Sequence, residues 1–221
     1  MDILYEDNHL LVINKPAGLA TQGVVEGAAS VVTAAKAYLK AKYKKPGNVY
    51  LGVVSRLDAS VSGVLVLART SKAAARLSEQ FRERKVQKVY WAVVEQPLNP
   101  AEGELIDWVK KDERNQRMAV VPRHTLGAQR ARLSYRTLAK RQDGCLVKVT
   151  LDTGRKHQIR LQLAAAGCPI LGDRKYGSRR KLSGGIALHA RRLEFEHPVS
   201  KEPLRFEAPP PTALAEFMRE S

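Results

Sequence analysis

Three features of the sequence predict an α+β fold. Short β-branched or alternating runs recur at residues 10–13, 64–67, 88–94 and 145–151. Longer stretches with apolar residues at helical spacing begin near Ser30, Ser71 and Gln158. No repeat, linker or shift in composition divides the chain, so residues 1–221 are expected to form one domain. With 44% apolar and 27% charged residues, a chain of this length can bury a sizeable core.

Residues 3–5 and 10–13 read as two strands around the turn Glu6-Asp7-Asn8, and Lys15-Pro16-Ala17-Gly18 ends the second. Ser30 can cap a helix in which Val31, Ala34, Ala35, Tyr38 and Leu39 share a face. Lysines in its last turn suit the helix dipole, and Pro46-Gly47 stops it. Ser71 is expected to cap a second helix to about Arg84, with Ala74, Leu77 and Phe81 inward and Arg76, Arg82, Glu83 and Arg84 outward. In the strand at 88–94, Tyr90 alternates with Val89 and Trp91.

Residues 98–130 are rich in Pro, Gly and charge, with short strands expected around 104–109 and 118–121. Lys110, Lys111, Arg114, Arg117, Arg123 and Arg130 make this a basic loop or hairpin, suited to phosphate contacts and equally compatible with a solvated surface. Residues 132–138 and 145–151 read as strands around Gln142-Asp143-Gly144. Thr153-Gly154-Arg155-Lys156-His157-Gln158-Ile159-Arg160 then leads into a short helix that Gly167 ends. Ile159, Leu163 and Ala166 form its apolar stripe, and Arg160 borders it, a position that wants a carboxylate. A loop at 172–177, basic residues 179–181, strands at 186–195 and 204–206, and a terminal helix capped by Thr212 complete the chain.

The charge balance narrows the partner. Thirty-eight Lys and Arg against 22 acids leave a net charge of +16, which favours a polyanion, nucleic acid ahead of a membrane surface. Cys145 and Cys168 form neither a C-x-x-C pair nor a Cys/His cluster, which argues for a reducing compartment and against structural zinc. The first 16 residues carry no basic leader or cleavage site, and no apolar run is long enough to span a bilayer. A cytoplasmic protein without a membrane partner is expected.

The stretch from Val53 to Thr70, VVSRLDASVSGVLVLART, holds the leading candidate for chemistry. Residues 64–67 are charge-free and β-branched, as a buried strand is, with Ser60, Ser62 and Gly63 read as turn residues before it. Asp58 thus sits on a loop entering the core. A carboxylate there must be paired, hydrogen-bonded or protonated. Bonding to its own backbone amides is the plainer use of such a residue.

Taken in order, HLLVINKPAGLATQG, SRLDASVSGVLVLA, KVYWAVV, TGRKHQIRLQLAAAGCPILGDRKYG and ALHARRLEFEHPVSKEPLRFEAP resemble the catalytic domain of the RluA-type RNA pseudouridine synthases. The series spans nearly the whole chain. The resemblance implies a pseudouridine synthase catalytic domain over residues 1–221, built on a mixed, largely antiparallel sheet with flanking helices and a central RNA-binding cleft. It implies that Asp58 is the catalytic aspartate, that Arg160 pairs with it, that Tyr90 stacks on the target base, and that Arg56 helps displace that base from the RNA. Ser55 stands where the family usually has His, and Val61 where it usually has Thr, so RNA docking around this loop is expected to differ. The sequence starts almost at the catalytic core, so no S4-type domain is expected before it.

The reaction breaks the bond from ribose C1′ to uracil N1, turns the base and joins C1′ to C5. It needs no redox change, so neither cofactor nor metal is required. It needs one ionised carboxylate, as nucleophile or as the base that starts a glycal route, and the residues do not choose between these. A cation such as Arg160 keeps a carboxylate charged and oriented. An aromatic platform holds the detached base, and the Tyr90 hydroxyl could remove the C5 proton. The target must leave its helix, so base flipping and a basic footprint on rRNA or tRNA are expected. The enzyme is expected to act as a monomer with no obligatory protein partner. A non-catalytic RNA-binding or ribosome-associated protein would explain the charge but not Asp58 in an apolar segment. A metal-dependent nuclease would want clustered carboxylates, and these are scattered.

Overall fold

The structure, a computed structural model, describes residues 1–23, 25 and 28–219. In chain order its elements are β1 (Asp2–Glu6), β2 (Leu10–Lys15), α1 (Val31–Lys42), β3 (Gly52–Val53), β4 (Ser62–Ala68), α2 (Ser71–Arg82) and β5 (Gln87–Val94). There follow β6 (Glu102–Asp112), β7 (Arg117–Val120), β8 (Gln129–Arg141), β9 (Gly144–Leu151) and α3 (Gln158–Ala165). A 3₁₀ turn (Arg174–Tyr176), β10 (Leu188–Glu196), β11 (Pro203–Glu207) and α4 (Thr212–Arg219) complete the α+β fold. None of the described helices is long and apolar enough to cross a membrane.

The chain forms two compact units, Met1–Gln87 with Ala190–Pro209, and Lys88–His189 with Pro210–Ser221. In the first, β2 pairs antiparallel with β1 and β4, β3 also pairs with β4, and β11 lies antiparallel on β10. One core joins Leu10, Val12, Val64 and Val66 to Leu77 of α2 and Phe195 and Phe206 of the late strands. Leu11, Ile13, Leu65 and Leu67, which alternate with the strand residues of that core, are buried as well. Burial on both faces is why β4 reads as an unbroken apolar run.

Ser30 caps α1 in a reciprocal box with Thr33, as its sequence position suggested. The cap of α2 is Thr70 and not Ser71: the Thr70 side chain accepts from Ala73 N, leaving Ser71 as the first helical residue. Thr212 likewise opens α4 instead of preceding it. Arg76, expected to face outward on α2, is half-buried and donates to Pro198 O at 2.7 Å. Ser62 and Gly63, read as turn residues, already belong to β4, which is buried throughout.

In the second unit the strands run β5–β9–β8–β6–β7, every neighbouring pair antiparallel. The basic segment is therefore a hairpin of β6 and β7 flanked by the long strand β8. On one side it has its own small core, Val109, Met118 and Ala131 against Leu161 of α3 and Tyr176 of the 3₁₀ turn.

Helix α3 departs from the amphipathic expectation. Gln158, Ile159, Arg160, Leu161, Gln162 and Leu163 are all buried, so Arg160 does not border a stripe that faces solvent. The polar members are tolerated because each is bonded. Gln158 accepts from Thr153 Oγ1 at 2.7 Å and donates to Arg132 O at 3.0 Å, and Gln162 donates to Asp107 Oδ2 at 2.6 Å.

Candidate active site

In the first unit, Asp58 lies on the loop between β3 and β4, half-buried, after buried Leu57 and exposed Arg56. The segment after β2 fastens the backbone of this loop. Thr21 Oγ1 donates to Leu57 O at 2.8 Å and accepts from Leu57 N at 3.2 Å. Gly18 N donates to Ala59 O at 2.8 Å, and Val61 N closes a turn onto Asp58 O at 3.0 Å.

Lys15, with no exposed surface, donates to the carbonyls of Pro16 at 2.8 Å, Leu19 at 2.7 Å and Ala59 at 3.2 Å. Burial pushes its pKa down to about 8, against the opposing attraction of Asp58. The negative charge of Asp58 thus has a buried cation of its own unit within electrostatic reach. Sequence reading missed Lys15 and Thr21; the available signal was a lysine closing an apolar strand.

Gly63 is the second residue of β4, the strand that leaves the loop. Its φ is +115°, and a Cβ there would fall 2.2 Å from Ala190 O, so this close approach of the neighbouring strands β4 and β10 requires glycine. Of the two departures in the central motif, Val61 is buried and Ser55 half-buried.

The second unit carries the other two candidates. Tyr90 lies half-buried on β5 opposite Val149 of β9. Arg160, on the first turn of α3, makes a bidentate ion pair with Asp173, Nε to Oδ2 at 2.7 Å and Nη2 to Oδ1 at 2.8 Å. Its guanidinium also lies over the Tyr176 ring, 5.1 Å from the centroid. The Tyr176 hydroxyl accepts from Met118 N at 3.1 Å and sits 2.8 Å from His157 Nδ1. His157 precedes α3 in the left-handed region, φ +54°, a conformation uncommon for a residue with a side chain. Asp173 and Tyr176 were not singled out in the sequence, where they belong to a loop with no periodic relation to α3.

Thus Arg56 and Asp58 share one loop of the first unit, and Tyr90 and Arg160 occupy separate elements of the second.

Comparison with known proteins agrees with the sequence motifs. The family model described as RNA pseudouridylate synthase matches residues 9–165. Ribosomal large subunit pseudouridine synthase D of Xylella fastidiosa is 38% identical, with 99% of this chain and 68% of that protein covered. The dual-specificity RNA pseudouridine synthase RluA of Pasteurella multocida is 35% identical, covering 95% of this chain and 93% of its own length. Among solved structures, human RNA pseudouridylate synthase domain containing 4 superposes with a TM-score of 0.81 at 28% identity, over 98% of this chain and 91% of that one. The chain belongs to the RNA pseudouridylate synthase family, in its RluA branch. It is an isomerase acting on uridine in RNA.

Proposed function

We propose that Asp58 is the carboxylate that isomerises uridine to pseudouridine, with Arg160 as its ionic partner and Tyr90 as the platform for the detached base. The observation that carries this reading is the Asp58 loop itself. Its carboxylate is half-buried while its backbone is fastened by Lys15, Gly18 and Thr21, so its position is set before RNA arrives. Asp173 holds the Nε–Nη2 edge of the Arg160 guanidinium. Arg56, exposed on the same loop, helps displace the base from the RNA.

This reading assigns residues 1–221 to one pseudouridine synthase catalytic domain with RNA as its substrate. A relative named for the ribosomal large subunit supports ribosomal RNA as substrate; the reading extends to transfer RNA and to action in the cytoplasm. The enzyme works as a monomer with no obligatory protein partner, and the chemistry calls on the chain's own side chains.

The test is Asp58→Asn. The variant should bind RNA with nearly unchanged affinity, melt at nearly the same temperature and form no pseudouridine. Continued product formation would remove Asp58 from the mechanism. A wild-type protein that binds RNA from cells lacking it but never modifies it would point to a binding role instead.

A further inference from the structure

Arg160 is held on two sides by residues that the proposed chemistry does not use. Asp173, itself 1% exposed, takes the Nε–Nη2 edge of the guanidinium, whose central carbon lies over the Tyr176 ring. Both come from one short segment. Tyr176 N and Ser178 N donate to Asp173 O at 3.0 and 3.1 Å, Gly172 N donates to Ser178 Oγ at 3.0 Å, and Asp173 N reaches Ile170 O at 2.9 Å. With its backbone closed in this way, the segment cannot shift without moving carboxylate and ring together.

That segment is fixed in turn by the hairpin. Met118 N of β7 donates to the Tyr176 hydroxyl at 3.1 Å, and Lys175 Nζ donates to Gln116 O at 2.7 Å. The Tyr176 ring also belongs to the small core with Val109, Met118 and Leu161, the residue next to Arg160. The same hairpin exposes Lys110, Lys111, Arg114 and Arg117.

We infer that Asp173 and Tyr176 are positioning residues for Arg160, which fix the guanidinium in one orientation and tie that orientation to the β6–β7 hairpin. A bidentate carboxylate fixes the plane of the fork and its rotation within that plane. The Tyr176 ring, with the guanidinium carbon over it, adds a second contact from the same short segment. An RNA phosphate drawn to the hairpin lysines and arginines would then act on a strand whose backbone holds Tyr176. The inference rests on the reading of Arg160 as partner of the reacting carboxylate.

The experiment is a double-mutant cycle on the full chain, with Asp173→Asn, Arg160→Met and the double variant. The substrate is total RNA from cells lacking the enzyme, and pseudouridine formation is followed at varied enzyme excess. Asp173→Asn should slow the saturating rate by about 10- to 100-fold, leave the half-saturating concentration unchanged and cost nothing further once Arg160 is Met. Tyr176→Phe, which keeps the ring and loses only the hydroxyl, should slow the rate a few-fold with the same dependence on Arg160. Effects of Asp173→Asn and Arg160→Met that multiply, or a wild-type rate in Asp173→Asn, would overturn the inference. Should Asp173→Asn fail to fold, Tyr176→Phe carries the cycle under the same criterion. A wild-type rate in Arg160→Met alone would overturn the underlying reading and this inference with it, a result that involves no change at position 173.

Discussion

Lys15 lies beneath the loop that carries Asp58, its ammonium 3.2 Å from the carbonyl of Ala59 and sealed from water. Burial costs the charged form more than Asp58 returns, so the lysine titrates near 8 and not near its ordinary 10.5. Between those values the unfolded chain still holds a proton that the folded chain has released, so stability should rise with pH across that window. The gain attributable to Lys15 is on the order of 3 kcal/mol, complete by about pH 10.5. Lys15→Met removes the titration and takes this donor from the carbonyls of Pro16 and Leu19, while Ala59 O keeps Gly18 N, at about 1–3 kcal/mol for each carbonyl left unpaired away from water. Urea unfolding of both proteins from pH 7 to 10.5 measures the difference. A constant difference would mean that Lys15 is not a buried cation.

Glu6 shows the opposite sign. Its Oε2 accepts from Tyr38 and Lys42, each at 2.8 Å, and its Oε1 accepts from Tyr43 at 2.6 Å and Arg69 at 3.2 Å. Burial works to raise its pKa, but the hydrogen bonds from Lys42, Tyr43 and Tyr38 outweigh it and hold the carboxyl at about 2. A depressed carboxylate contributes stability above its unfolded value, lost as pH falls from about 4.5 toward 2. Glu6→Gln should therefore cost about 1.5–3 kcal/mol at neutral pH, with the gap to the parent closing through that acid window. Thermal melts at pH 7 and pH 3 compare the two, and a gap of equal size at both would show that the charge contributes nothing.

What the sequence revealed and concealed follows from the same physics. β4 was legible because burial on both faces leaves an unbroken apolar run, and α1 because its cap and its stop are local signals. The helix α3 and its end at Gly167 were legible too, but the burial of Gln158, Arg160 and Gln162 was not, because it depends on bonded partners distant in sequence. Asp173, thirteen residues from Arg160 on a loop, carries no periodic relation that would mark it as the ion-pair partner. Asp58, Arg56, Tyr90 and Arg160 became candidates through ordered motifs; composition alone would have left each a routine loop or strand residue. Lys15 went unnoticed because a lysine after a strand is usually solvated.

Tyr90 tests the aromatic part of the proposed chemistry. Its half-buried place on β5 suits a stacking surface, and stacking is worth about 1–3 kcal/mol per base. Tyr90→Phe retains the ring and removes the hydroxyl. RNA affinity should stay within about twofold, since the stacking term is unchanged, while product forms slowly or not at all. Single-turnover assays beside binding titrations separate the two effects. Wild-type turnover in the Phe variant would leave Tyr90 with stacking alone.

The close approach of β4 to Ala190 on its neighbour β10 gives the sharpest steric expectation. A Cβ on Gly63 would lie 2.2 Å from Ala190 O and 2.6 Å from Ala190 N, both backbone atoms that no rotamer change can move. Its φ of +115° adds conformational strain to the clash. Gly63→Ala should therefore cost more than about 4 kcal/mol, or prevent folding, because either strand must shift to admit the methyl group. Gly167 supplies the control: it is also left-handed, φ +77°, but a Cβ there meets nothing within 4 Å. Gly167→Ala should cost only about 1–2 kcal/mol, the price of the backbone conformation. Urea unfolding of the two variants distinguishes clash from conformation. Since Gly63 follows Asp58 by only five residues, a folded Gly63→Ala protein should also lose most of its activity, whereas Gly167→Ala keeps the loop and strand intact. Equal and mild destabilisation of both variants would show that β4 and β10 have room at this close approach, and that Gly63 is required for its backbone angles alone.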